Sequence, residues 1–287
     1  MGRIIFYIFY PLNCIITLLP LRILYLCSDL IFIFLCYFPS YRKKIVLSNL
    51  KNSFPEKSED EIRKTARKFY RHLADLFVEI LKLTHMSKRQ LLRRMTFTNP
   101  ELLEKLFNDG RDLAVILSHY NNWEWLSILP LYTRHKNVSI YKPLHNKYFD
   151  RYLNKIRSKY KMGLAPMGEI VREIINNRRE GIRGLYTFIA DQTPARTLIR
   201  YRTDFLNQDT PVFLGPEKIA VKYNMAVIFF KIRKIKRGYY NLTAELLFEN
   251  TTGVPEYLIT DTHVKKLEEL IREKPEHWIW SHRRWKY

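Results

Sequence analysis

The chain begins with two apolar stretches. Residues 4–21 read IIFYIFYPLNCIITLLPL without a charged side chain, and residues 23–38 are also apolar apart from one aspartate. A spanning helix needs about 20 apolar residues, but Pro11 and Pro20 weaken one straight helix. We expect a span with a surface helix, or a shallow hairpin, with a buried core helix as the alternative. Residues 1–41 are therefore predicted to be a membrane-associated, anchoring segment.

After this segment, helix-like and strand-like patterns alternate. Ser58 and Glu61 form a Ser-x-x-Glu capping pattern that starts an amphipathic helix. Strands are predicted for DLAVILS, VSIYKPL, GLYTFIAD, MAVIFFKIRKI and YYNLTAELLFE. Further helices are predicted from about Asn122 and for KYFDRYLNKIRSKY, MGEIVREIINNR, PEKIAVKYN and YLITDTHVKKLEELIREKP.

The alternation favours an α/β fold for residues 42–287, in which helices flank a central mixed, mainly parallel sheet. A Lys-Arg-Gly turn between the last two strands predicts an antiparallel hairpin in this sheet. Ligand sites in such folds lie at the carboxyl ends of strands. His119 and Asp191 both fall at such ends.

The charge of the chain is strongly basic. Lys and Arg number 49 against 28 acidic residues, a formal net charge of +21. A surface of this kind suits nucleic acid, anionic lipid headgroups or an acidic carrier protein. The basic cluster Arg42, Lys43 and Lys44 follows the apolar segment and predicts that the next domain stays in the cytoplasm.

The three cysteines, Cys14, Cys27 and Cys36, all lie in the apolar segment. Their odd number and their position argue against a disulfide framework and against a zinc site. We therefore expect no metal and a reducing compartment.

The segment LSHYNNWEW, residues 117–125, follows the predicted strand DLAVILS. On one continuous helix His119 and Glu124 would lie about 140° apart. We therefore place His119 in the turn before a helix and Glu124 in its first turn, with Asn121 or Asn122 as the cap. Glu124 is then predicted to accept a hydrogen bond from one imidazole nitrogen, and the other nitrogen to act as a general base.

Other catalytic patterns are absent from the sequence. It has no Gly-x-Ser-x-Gly elbow, no His-Glu-x-x-His zinc helix, no Walker loop and no Gly-x-Gly-x-x-Gly. A His-x4-Glu spacing alone is also compatible with a structural histidine. We interpret His72, His85, His135, His145, His263 and His277 as surface or packing residues.

Four further blocks give the motif a family context. The stretch around His119 resembles the His-x4-Asp/Glu motif of membrane-bound glycerolipid and lipid A acyltransferases. Three blocks resemble those of the lauroyl and myristoyl transferases of lipid A: IYKPLHN, IADQTP and PVFLGPEKIAVKYNMAVI. The ending PEHWIWSHRRW resembles the C-terminus of that family, and the blocks follow its order over nearly the whole chain.

The resemblance implies a glycerolipid-acyltransferase-like fold and acyl transfer from an acyl carrier protein or CoA thioester to a lipid hydroxyl. It implies that His119 is the general base and Glu124 its partner. Lys142 replaces the usual arginine and so loses the bidentate fork of a guanidinium. The residues that it implies for substrate binding are Asn122, Tyr141, Lys142, Asn146, Asp191, Gln192, Arg283 and Arg284.

The expected partners are an acyl carrier protein, a membrane lipid acceptor and an anionic membrane surface, without a cofactor and without nucleic acid. The expected location is the bacterial inner membrane, with the catalytic domain on the cytoplasmic side. We also expect direct attack without a covalent acyl-enzyme. One alternative is acylation of another membrane lipid, and another is a membrane-tethered nucleic-acid-binding protein.

Overall fold

A computed structural model describes residues 2–37 and 41–287. Its strands are β1 (Met95–Phe97), β2 (Leu113–Leu117), β3 (Lys136–Tyr141), β4 (Gly163–Pro166), β5 (Gly184–Ile189), β6 (Arg202–Phe205), β7 (Gln208–Pro211), β8 (Ala226–Lys236) and β9 (Tyr239–Phe248). Its α-helices are α1 (Gly2–Ile16), α2 (Leu21–Tyr37), α3 (Lys43–Ser53), α4 (Glu59–Lys82), α5 (Lys88–Leu92), α6 (Glu101–Asn108), α7 (Lys147–Arg157), α8 (Ile170–Arg179), α9 (Gly215–Lys222) and α10 (Leu258–Glu273).

Seven of these strands form one mixed sheet in the order β1-β9-β8-β2-β5-β3-β4. Strands β8, β2, β5, β3 and β4 are parallel, whereas β9 is antiparallel to β8 and β1 is parallel to β9. The predicted mainly parallel α/β sheet is therefore confirmed. The predicted hairpin is also present, since β8 and β9 are joined by Arg237 and Gly238, and Gly238 has a φ of +71°.

The central strand β2 carries five buried apolar residues, as expected for a strand covered on both faces. Leu113, Val115 and Leu117 belong to one core cluster, and Ala114 and Ile116 belong to another. Because side chains alternate along a strand, the two clusters lie on opposite faces of the sheet. The helices that cover these faces complete a three-layer arrangement.

The described part of the N-terminal segment contains two helices, α1 and α2, separated by residues 17–20. Among the described residues, none of the helices combines the length and the apolar composition that a membrane span requires. Leu21, Leu24 and Tyr25 of α2 are buried in the same core as the sheet residues. The part of the chain assigned to the membrane thus shares its core with the predicted catalytic domain.

Helix α4 connects these N-terminal helices to the sheet through a stripe of buried polar residues. Its N-terminus has the predicted capping box of Ser58 and Glu61. The stripe consists of His72, Asp75, Glu79 and Lys82.

The partners of this stripe come from the N-terminal helices with their connecting residues and from the turn between β8 and β9. Asp75 accepts hydrogen bonds from Ser28 Oγ at 2.7 Å and from Arg237 Nε at 2.8 Å. The Lys82 ammonium donates to the backbone oxygens of Thr17 and Leu19 at 2.6 and 2.8 Å. Since buried charges are tolerated only when paired, these bonds fix the position of α1 and α2 on α4.

Replacing Asp75 with alanine tests this connection. The change leaves Lys234 and Arg237 without their buried carboxylate, and we expect the free energy of unfolding to fall by about 3 kcal/mol. Chemical denaturation measures the change. The control is Glu59→Ala on the same helix, where an exposed carboxylate pairs with exposed Lys51 and no measurable change is expected. Equal stability of the two variants would contradict the connection.

Candidate active site

The register of β2 and β5 brings two polar residues together at the carboxyl edge of the sheet. Leu117 lies opposite Ile189 in this parallel pair, and the Ala190 N–H donates to the Leu117 oxygen at 3.1 Å. His119 lies two residues after Leu117, and Asp191 lies two residues after Ile189, so each follows the end of its strand. The two side chains therefore leave the sheet side by side.

His119 and Asp191 are joined by two hydrogen bonds. The distance between His119 Nδ1 and Asp191 Oδ1 is 2.7 Å, and the His119 backbone N–H donates to Asp191 Oδ2 at 2.9 Å. A third donor, Trp278 Nε1–H, reaches Oδ2 at 2.8 Å. A carboxylate only accepts hydrogen bonds, and so the proton between the two side chains belongs to His119 Nδ1.

The environment of Asp191 favours the ionised carboxylate. Its side chain has no exposed surface, and burial by itself acts to raise its pKa. The charge of His119 and the donors of His119 and Trp278 outweigh burial and hold the pKa of Asp191 below its ordinary value. Asp191 can therefore orient the imidazole and stabilise an imidazolium.

The second ring nitrogen, His119 Nε2, is left as an acceptor. Its neighbour is the Gln192 side-chain nitrogen at 3.3 Å. The His119 side chain is 19% exposed, and the Trp123 ring packs edge-on against the imidazole with 4.8 Å between centroids. This arrangement can take a proton from a hydroxyl group that approaches Nε2.

The predicted placement of the motif is confirmed, but the predicted hydrogen bond between His119 and Glu124 is wrong. Asn122 caps a 3₁₀-helix over Trp123–Leu131, and its Oδ1 accepts from the Trp125 N–H at 3.3 Å. Glu124 lies in the first turn of this helix, after the turn that holds His119.

The carboxylate of Glu124 instead receives both arms of the Arg157 guanidinium, with Nε at 2.7 Å from Oε2. A bidentate guanidinium occupies both carboxylate oxygens. Asp191 supplies the carboxylate that His119 Nδ1 requires, because β5 adjoins β2.

Asn122 is fully buried, which does not fit the predicted contact with a substrate. Its Nδ2 donates to Glu79 Oε2 at 2.8 Å. Glu79 also accepts from the hydroxyls of Tyr25 and Tyr240 at 2.8 and 2.7 Å, and burial raises its pKa. Asn122 therefore connects the helix after His119 to α4.

The predicted block after β3 lies at the same edge of the sheet. Tyr141 ends β3 and is partly exposed, and Lys142 is exposed. Asn146 caps α7, with its Oδ1 accepting from the Tyr148 N–H at 3.0 Å, and its Nδ2 lies 3.4 Å from the Gly2 oxygen. The helix α7 that begins here also carries Arg157, the partner of Glu124.

The two C-terminal arginines differ in their surroundings. Arg283 is exposed. Arg284 is 2% exposed and donates from a guanidinium nitrogen to the Pro211 oxygen at 2.7 Å, and burial lowers its pKa to about 10. The predicted contact between Arg284 and an anionic headgroup is therefore not supported, because its guanidinium points into the protein.

Sequence reasoning missed two residues of this site, Arg157 and Trp278. Trp278 lies in the C-terminal block, but the sequence does not show that its indole N–H reaches the residue after β5. Arg157 gave no local signal, because α7 also carries other lysines and arginines and the sequence does not show which of them pairs with a carboxylate.

The two pairs can be distinguished by NMR. The Nδ1 proton of His119 is expected to resonate far downfield because its acceptor is a carboxylate. Asp191→Asn should move this signal upfield, since a neutral amide is a weaker acceptor, and Glu124→Gln should leave it in place. A signal that responds to Glu124→Gln and not to Asp191→Asn would contradict this assignment.

One protein-family model matches nearly the whole chain. The family model described as bacterial lipid A biosynthesis acyltransferase matches residues 2–287. No curated protein matches the chain. The match includes the N-terminal helices, the sheet and the strand ends that carry His119 and Asp191. The chain belongs to the bacterial lipid A biosynthesis acyltransferase family.

Proposed function

We propose that the protein transfers a fatty acyl chain from an acyl carrier protein thioester, or a CoA thioester, to a hydroxyl group of a lipid A precursor. The observation that carries the proposal is the His119–Asp191 pair, in which Nδ1 is held at 2.7 Å by a buried carboxylate. This leaves Nε2 as a base at a partly exposed position. The same division of roles occurs between the histidine and the aspartate of a catalytic triad.

The proposed reaction is a direct attack. His119 Nε2 takes the proton of the acceptor hydroxyl while the hydroxyl oxygen bonds to the thioester carbonyl carbon. The carbon–sulfur bond of the tetrahedral intermediate then breaks, and the leaving thiolate takes the proton from His119. Asp191 stabilises the intermediate imidazolium. The cysteines lie in α1 and α2, and Ser118 is buried, which supports a route without a covalent acyl-enzyme.

Glu124 contributes to this site through Arg157. The bidentate pair joins the helix after His119 to α7, and α7 begins beside Tyr141, Lys142 and Asn146. We propose that this edge, with Gln192 and the exposed Arg283, contacts the phosphorylated acceptor. An exposed lysine at position 142 provides charge to a phosphate but no bidentate contact.

The proposed setting is the cytoplasmic side of the bacterial inner membrane. Helix α1 exposes Ile4, Ile8 and Leu12 to more than half of their surface, a spacing that places them on one helix face. Helix α2 likewise exposes Leu26 and Leu30. Apolar helix faces of this kind are typical of segments that lie in the membrane interface.

The basic surface supports the proposed anionic partners. A net charge of +21 attracts both an acidic acyl carrier protein and an anionic lipid surface. The cluster Arg42, Lys43 and Lys44 is exposed after the apolar helices. No cofactor is part of the proposed reaction.

Replacing His119 with alanine tests the function. In a membrane assay with a labelled acyl carrier protein donor and a tetra-acylated lipid A precursor, we expect turnover to fall by about 10²- to 10⁴-fold. Asp191→Asn should also lower turnover, and the exposed His85 gives the control His85→Ala.

Retained turnover in His119→Ala would exclude His119 as the base. If the wild-type protein acylates a lysophospholipid and not the lipid A precursor, the proposed acceptor is wrong. Specific binding to nucleic acid without acyl transfer would exclude the enzyme function.

A double variant tests the membrane surface. Ile4→Ser with Ile8→Ser removes two exposed apolar side chains from α1, and we expect binding to phosphatidylglycerol vesicles to weaken by about tenfold or more. The control is Val221→Ser with Leu258→Ser, which changes two exposed apolar residues on α9 and α10. Equal vesicle binding by the two double variants would show that α1 does not contact the lipid.

A further inference from the structure

The C-terminal segment, residues 277–284, runs across the strand ends that carry the candidate catalytic pair. Tyr120 forms an isolated antiparallel bridge with Trp278, and the Asn121 N–H donates to the His277 oxygen at 3.0 Å. These contacts hold the loop that follows His119. The segment is thus attached, through backbone hydrogen bonds, to the two residues that follow His119.

The same segment also holds the loop that follows Asp191. The Thr193 N–H donates to His282 Nε2 at 3.2 Å, and Thr193 Oγ1 donates to the backbone oxygen of Arg284. Burial lowers the pKa of His282 to about 4, so its ring is neutral at pH 7 and its Nε2 can accept. One segment therefore contacts both loops.

Between these attachments, the Trp278 indole N–H bonds to Asp191 Oδ2 at 2.8 Å. We propose that Trp278 is a positioning residue of the acyl-transfer reaction and acts by fixing the orientation of the Asp191 carboxylate toward His119. The proposal rests on the function proposed above. Trp278 itself does not touch the reacting atoms.

The geometry gives a specific reason for this role. The His119 backbone N–H and the Trp278 N–H both occupy Oδ2, which directs Oδ1 to His119 Nδ1. Trp278 is 1% exposed. Its ring is held between Trp280 and Phe205, with centroids at 4.7 and 5.7 Å. A donor held this firmly restricts rotation of the carboxylate and stabilises its charge.

Trp280 provides a matched control. Like Trp278, it is buried in the C-terminal segment, and its indole N–H donates to a backbone oxygen, that of Pro275, at 2.6 Å. Its donor does not contact Asp191. Trp→Phe at either position removes one buried indole N–H and keeps an aromatic ring.

For Trp278→Phe we expect kcat to fall by about 10- to 100-fold, the range for loss of a hydrogen bond to a charged group. KM should stay within about twofold, because an interaction that orients the base acts on turnover. The Trp278 bond is one of the interactions that lower the pKa of Asp191, and its loss should raise that pKa. Trp280→Phe keeps an aromatic ring beside Trp278 and removes no bond to Asp191, and so its loss of kcat should be clearly smaller than that of Trp278→Phe.

A double-variant cycle separates positioning from a general structural effect. If Trp278 acts through Asp191, Trp278→Phe should cost nothing further in kcat when Asp191 is already asparagine. Equal losses of kcat in Trp278→Phe and Trp280→Phe, or additive losses with Asp191→Asn, would overturn the proposal.

A measurement without substrate separates this proposal from the proposed function. In NMR spectra, Asp191→Asn should shift the indole N–H signal of Trp278 upfield and leave that of Trp280 unchanged. An unmoved Trp278 signal would overturn the positioning role. A shifted signal in a protein without acyl transfer would retain the Trp278–Asp191 contact but exclude the proposed function.

Discussion

A carboxylate without exposed surface must be surrounded by donors, and this requirement determines how the strand ends of this protein are built. Asp191 receives the backbone N–H and the ring N–H of His119 and the indole N–H of Trp278. These donors come from the loop after β2 and from the C-terminal segment, at positions 119 and 278 of the chain. The carboxylate therefore holds together the loop after β2, the loop after β5 and the C-terminal segment.

A second buried carboxyl group links this centre to the N-terminal helices. Glu79 of α4 bonds to Tyr25 of α2, to Tyr240 of β9 and to Asn122, which caps the helix after His119. The exposed apolar faces of α1 and α2 are thus parts of elements that pack directly on the catalytic domain. The orientation of α1 and α2 is therefore fixed relative to the site.

Some elements of this fold can be predicted from local sequence patterns and others cannot. The strand Leu113–Leu117, the capping box of Ser58 and Glu61, and the turn at Gly238 were predictable, because each depends on side chains within a few residues of one another. The short strands β1 and β4 and the hairpin of β6 and β7 were not predicted. Three or four residues carry too little periodicity to identify a strand.

The sequence by itself determined the family, the α/β class and the position of His119 before a helix that begins near Asn122. It also placed Asp191 at a strand end. Only the tertiary structure decided which acid serves the histidine: Glu124, five residues away, pairs with Arg157, whereas Asp191, 72 residues away, pairs with His119. The physical reason is that strand order is set by packing over the whole sheet, and the adjacency of β2 and β5 decides which side chains meet.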